Sequence, residues 1–207
     1  VRVIKKLAEL ISLIFSIKIV SEENFYEEKG FLNLYVDGWL NKVVSDPAGN
    51  YDRIFENFVE EKCEINKTLI DDHSCAIHFR GGDYIDGSKN SQIYGGVADF
   101  EFYSRATKKI SELKNIAVYV IFTNDISAAN AIFQRLDINF ILSSEIGAKG
   151  FLDDLCSMSY FRNLIMSNSS FSYWSAATFP VGKTVVCPSK YRNVDDIDIY
   201  LDNWIQV

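Results

Sequence analysis

Two rhythms of apolar and polar positions run along the chain after about residue 70. Short unbroken apolar runs are separated by longer stretches in which apolar residues recur every three or four positions. The unbroken runs predict strands buried on both faces, and the longer rhythm predicts amphipathic helices. Strands are expected at Ser74 to Phe79, Ile116 to Phe122, Ile138 to Leu142, Asn163 to Met166 and Thr184 to Cys187. Helices are expected at about Phe100 to Leu113, Ser127 to Leu136, Gly150 to Tyr160 and Ser170 to Phe179. Regular β–α alternation of this kind predicts an α/β fold, a parallel sheet with helices on both faces.

Residues 71–207 therefore read as one Rossmann-like domain, and residues 1–70 as the remainder of a second α/β domain. In that first part the pattern predicts a helix over Arg2 to Phe15, strands at Ile17 to Val20 and Asn33 to Leu40, and a helix over Tyr51 to Lys62. Leu7 to Val20 is apolar, but Glu9 and Lys18 interrupt it. It falls short of the roughly 20 apolar residues that a membrane span needs. Ser16-Ile17-Lys18 is a poor signal cleavage site, so a buried helix running into a strand is expected.

Composition narrows the class. Of 207 residues, 48% are apolar, with 15 Phe, 11 Tyr and 3 Trp, ample for a packed core. Disorder is excluded. Lys plus Arg number 21 against 28 Asp plus Glu, a net charge of -7, so a nucleic acid partner is not expected. The four cysteines, Cys63, Cys75, Cys156 and Cys187, are widely spaced, which is neither a disulfide framework nor a zinc pattern. Cys75 and Cys187 lie in apolar runs and read as small buried hydrophobes.

A parallel sheet binds ligands beyond the carboxyl ends of its strands. After the first strand stands His78-Phe79-Arg80-Gly81-Gly82-Asp83-Tyr84. The Arg80 fork suits a phosphate, and the glycines let backbone approach a ligand. Equally, Arg80 could pair with Asp83 and only stiffen the turn. After the fourth strand stands Ser167-Asn168-Ser169-Ser170-Phe171-Ser172-Tyr173-Trp174. Hydroxyls at a helix start serve as caps, and the same free N–H groups make an anion site. Asn168-Ser169-Ser170 also spells a glycosylation sequon, a chance match if the turn is buried. Asp153-Asp154 opens the preceding helix, where carboxylates are ordinary dipole partners or could accept from a guanine edge. Asp196-Ile197-Asp198 fits a metal-binding DxD pattern, but its acidic surroundings, with Asp195 and Asp202, read as a solvated tail. Neither GxGxxG nor a P-loop is present.

In order and spacing these sites resemble glycosyltransferase family 11, the α-1,2-fucosyltransferases. That family carries H-x-R-R-x-D-Y after a strand, matched by His78 to Tyr84. It carries D-x-x-x-M-S, a strand, then N-S-S/T-F-S-W-W, similar to Asp154 to Ser159 and then Asn168 to Trp174. Leu34-Tyr35-Val36-Asp37-Gly38-Trp39 resembles its Y-x-D-G-Y/W strand, and Phe122-Thr123-Asn124-Asp125 its F-S-D-D turn. The likeness covers roughly residues 30–190. Two departures stand out: Gly81 replaces the second motif arginine, and the family's G-G-L-G-N-Q-M-F-Q segment is absent, so a partial member is expected.

The resemblance implies a GT-B-like fold and inverting transfer of L-fucose from GDP-fucose to a galactose 2-hydroxyl of a glycan, with no cofactor and no metal. It implies that charge growing on the leaving β-phosphate is met by Arg80, by Ser169 or Ser170, and by the helix that starts there. In the same reading Asp154 holds the guanine edge, His78 makes a base or ribose contact, and Asn168 lines the donor site. Candidates for the base are Asp83, Asp86 and Asp99, of which Asp99 is preferred. Enzymes of this kind act in the cytoplasm of bacteria, at most peripheral to a membrane, or in the Golgi lumen of animals; the cytoplasm is the expectation here.

Overall fold

The computed structural model describes residues 70–177, 182–194 and 200–207. Of two compact units, Val1–Ala48 and Gly49–Val207, the described residues all belong to the second. The elements expected before residue 70, the Leu34–Trp39 strand and Asp196-Ile197-Asp198 lie outside the described residues.

Six strands form one parallel sheet: β1 (Ser74–Phe79), β2 (Val118–Thr123), β3 (Phe140–Leu142), β4 (Asn163–Ile165), β5 (Thr184–Cys187) and β6 (Ile205–Gln206). Their order is β3-β2-β1-β4-β5-β6. The helices are α1 (Lys89–Tyr94), α2 (Phe100–Leu113), α3 (Ile126–Phe133), α4 (Phe151–Tyr160) and α5 (Ser170–Ala177).

The parallel α/β expectation holds. β1 and β5 match their predicted bounds, while β2 and β3 begin two residues later than expected. α3 ends early because its last turn tightens into a 3-10 segment, Gln134–Leu136, closed by Asp137 in the left-handed region at φ 51. The apolar rhythm missed α1 and β6. In the C-terminal segment Asp202 is exposed, as the solvated reading expects, while Tyr200 and Trp204 are buried and β6 adds to β5. One correction concerns the cysteines. Cys75 and Cys187 are buried free thiols as expected, but Cys156 is disulfide-bonded, which the wide spacing gave no hint of.

Successive strand residues face opposite sides of a sheet, and this period sorts the core. On one face Cys75, Ile77 and Phe79 of β1, with Tyr119, Ile121, Ile165 and Val186, meet α2 through Phe102, Tyr103, Ala106 and Ile110, and α3 through Ala129 and Phe133. Each fully buried aromatic or aliphatic side chain there contributes on the order of 2 kcal/mol. Ala76 and His78 point to the other face. There Phe122 meets Phe161 edge-on at 5.9 Å, and α4 packs against α5.

The strand order positions the site. The chain builds outward from β1 to β2 and β3, then returns to lay β4 on the other side of β1. Connections after β1 and β4 therefore leave toward opposite faces, opening a crevice at the carboxyl ends of these two strands.

Candidate functional site

The turn after β1 is shaped by its glycines. Gly82 sits at φ +56, the left-handed region. Gly81 donates its N–H to Asn124 Oδ1 at 2.9 Å, and a Cβ on Gly81 would fall 2.5 Å from the Cβ of Asp125. Asp125 is itself fixed, because its carboxylate caps α3 by accepting from Ala128 N at 3.0 Å. The turn after β2 thus presses on the turn after β1, and there is no room for the family's arginine at position 81. Gly81→Ala is expected to lower stability by about 2 kcal/mol, as overpacking does. Chemical denaturation checks this, and an unchanged midpoint would show that the two turns relax apart.

Arg80 donates through Nε (3.0 Å) and a terminal nitrogen (2.8 Å) to one oxygen of Asp83. The other Asp83 oxygen accepts from Asn90 Nδ2 at 3.0 Å. The guanidinium also lies 5.6 Å from the centre of the Tyr84 ring, which is stacked on Tyr94 at 5.1 Å and 14°. The ion pair stiffens the turn, and the rest of the guanidinium edge has no partner among the described residues. With 32% of its side chain exposed, Arg80 can reach a ligand.

Across the crevice, the turn after β4 is dense with hydrogen bonds. Ser167 Oγ lies 2.7 Å from His78 Nδ1, linking the ends of β4 and β1. Asn168 is buried and donates both amide hydrogens to the protein itself, to the Tyr94 and Tyr191 carbonyls at 2.9 and 3.0 Å. Its sequon is thus enclosed, and its amide holds the turn, α1 and the segment after β5 together. Ser169 Oγ caps α5 by accepting from Phe171 N at 3.3 Å, and Ser172 Oγ donates to the Ser167 and Ser169 carbonyls. Ser170, half-buried at the start of α5, makes no side-chain hydrogen bond among the described residues. The N-terminus of α5, capped by Ser169, therefore carries a hydroxyl on Ser170 that is unpartnered among the described residues, and the positive end of a helix dipole.

His78 is 5% exposed. Burial, and secondarily the Arg80 charge, pull its pKa down to about 3, so the ring is neutral at physiological pH. Asp154, in the first turn of α4, has its carboxyl raised by burial, opposed by a hydrogen bond with Ser143. No hydrogen bond brings it to Arg80, His78 or Ser170 among the described residues.

The three candidate bases differ. Asp83 is committed to Arg80 and Asn90. Asp86 is exposed, and hydrogen bonds from the Ser88 side chain and backbone hold its carboxyl below the usual range, which makes it a weaker base. Asp99 is exposed and caps α2 with one oxygen, which accepts from Phe102 N at 2.9 Å. Its other oxygen has no partner among the described residues.

The structure thus brings together His78, Arg80, Asp83, Asn168, Ser169 and Ser170 at the β1–β4 crevice. The sequence motifs contain Ser167 and Tyr84 but gave neither a role, and Tyr94 was missed. The signal for Ser167 was its place at the carboxyl end of β4, in register beyond the strand that neighbours β1. Among the described residues no group of three or more metal-ligating side chains occurs, and no helix is long and apolar enough to cross a membrane.

Comparisons with known proteins bear on this geometry. The chain is 28% identical over 138 residues to the O-antigen biosynthesis glycosyltransferase WbnK of Escherichia coli, covering 65% of this chain and 45% of that protein. It is 25% identical over 154 residues to an alpha-1,2-colitosyltransferase of Escherichia coli, covering 70% and 51%. The chain thus spans about half the length of these relatives. A solved structure of POFUT1 in complex with GDP is similar at TM-score 0.35 and 9% identity, over 62% of this chain and 43% of that one. The model of glycosyl transferase family 11 matches residues 51–207, which include every described strand and helix and both faces of the crevice, and the chain belongs to that family.

Proposed function

We propose that this chain is the donor-binding part of an inverting α-1,2-fucosyltransferase, which moves L-fucose from GDP-fucose to the 2-hydroxyl of a galactose-terminated glycan. The observation that carries the reading is that the unspent edge of Arg80 follows β1 while α5 begins after β4, the strand paired with β1. As the glycosidic bond breaks, negative charge grows on the β-phosphate. Arg80, Ser170 and the positive end of the α5 dipole are preorganised for that charge, and they need no metal to act. The α-1,2 linkage in the name of the Escherichia coli colitosyltransferase agrees with this assignment. Asp154 remains the candidate for the guanine edge. Asp99, which spends one oxygen on its cap, is the proposed base, since both oxygens of Asp83 are engaged and Asp86 is held a weaker base.

Gly81 favours a second reading, a relative that binds GDP but has lost turnover.

A thermal-shift titration of the chain with GDP, ADP and UDP, with and without EDTA, tests the donor assignment. GDP at a hundredfold over its Kd is expected to stabilise the fold by about 2.7 kcal/mol, unaffected by EDTA. Equal shifts with ADP or UDP, or none with GDP, would sink it. GDP binding without fucose transfer would favour the second reading.

A further inference from the structure

We propose that Ser167 is a positioning residue. Its hydroxyl locks the His78 ring with the proton on Nε2, so that His78 meets the nucleotide as a neutral donor to one of its acceptor oxygens. The ligand half of this proposal rests on the GDP reading above, and the ring state does not.

The Ser167 side chain is fully buried, and His78 Nδ1, at 2.7 Å, is its one side-chain hydrogen-bond partner among the described residues. A serine hydroxyl has one proton to give, and a neutral imidazole has one donor and one acceptor nitrogen. If Nδ1 carried the proton, the serine O–H would be sealed in the protein with no acceptor, and a buried donor left unmade is costly. With the proton on Nε2, serine donates to Nδ1 and both groups are satisfied. The ring is held in place as well: its centroid lies 5.4 Å from that of Phe171, and the His78 carbonyl accepts from the Tyr103 hydroxyl at 2.8 Å.

Nε2 has no partner among the described residues. His78 keeps 5% of its surface exposed. A neutral N–H beside Arg80 adds a directed hydrogen bond without adding a second charge. That suits a phosphate, ribose or base oxygen, and it does not suit a donor group.

Long-range proton–nitrogen NMR of the full chain labelled at histidine reads the tautomer directly. The chain has two histidines, His73 and His78, and His78→Gln assigns the signals. The expected wild-type spectrum shows His78 protonated on Nε2, with that nitrogen shifting when GDP is added. Ser167→Ala is expected to mix the tautomers and weaken GDP binding about fivefold to tenfold, the worth of one hydrogen bond. Ser167→Thr, which keeps the hydroxyl, is expected to restore both. A wild-type ring protonated on Nδ1 overturns the proposal without need of any variant, and so does an unchanged tautomer in Ser167→Ala. A tautomer that depends on Ser167 in a chain that does not bind GDP would uphold the lock and reject the nucleotide.

Discussion

On the proposed function, Arg80→Ala in a chain that turns over is expected to lower fucose transfer by about a hundredfold or more while leaving the fold nearly as stable as before. The two halves of this expectation have different causes. The ion pair with Asp83 is partly exposed, at 32% and 34% of the side chains, and pairs of that kind contribute about 1 kcal/mol or less. In the proposed reaction, by contrast, the transition state places growing charge against Arg80, and removal of one such donor typically costs about 3 kcal/mol. Gly81 sharpens the effect, because no second arginine in this motif can compensate. Arg80→Lys keeps the charge but loses the fork, so it is expected to recover only part of the rate. The measurement is kcat/KM with GDP-fucose beside a melting curve. A variant within threefold of wild type would remove Arg80 from the mechanism.

Asp99→Asn carries the second large effect. Asparagine still offers a side-chain oxygen to Phe102 N, so the cap on α2 survives and stability stays within a few tenths of a kcal/mol. The substitution removes only the basic oxygen. Loss of a positioned base costs about a hundredfold to ten-thousandfold in rate. The expected result is therefore a fall in kcat with an unchanged melting temperature and unchanged GDP affinity. Full turnover by Asp99→Asn would return the role to Asp83 or Asp86, with Asp83→Asn the next test.

Much of the scaffold was legible because buried parallel strands leave an unmistakable trace. Ser74 to Phe79 and Thr184 to Cys187 are mostly apolar runs, and they fold as strands with those bounds. α1 escaped because six residues, Lys89–Tyr94, are too few to display a helical rhythm, and its cap, Ser88, looks like any loop serine. β6 escaped because it is two residues long and follows an acidic stretch. At the site, residue types announced Arg80 and the serine-rich turn. They did not announce which groups are spent. By type Asn168 suits a ligand contact, yet its two donors are consumed by carbonyls 74 and 23 positions away. Ser167 has the look of a strand end, yet it touches a histidine 89 positions away. Such pairings depend on the strand order, which no local pattern encodes.

The shortest strand has a consequence for the life of the protein in solution. β5 is apolar, and with β4 on one side its other flank would be a row of open N–H and C=O groups. β6 closes that row, helped by the Val207 N–H on the Cys187 carbonyl and the Ser189 N–H on the Val207 carbonyl. Unguarded flat edges recruit other chains into aggregates. Residues 205–207, which touch neither Arg80 nor α5 through any hydrogen bond among the described residues, thus act as a selvedge: they keep the sheet from growing by the addition of its own copies.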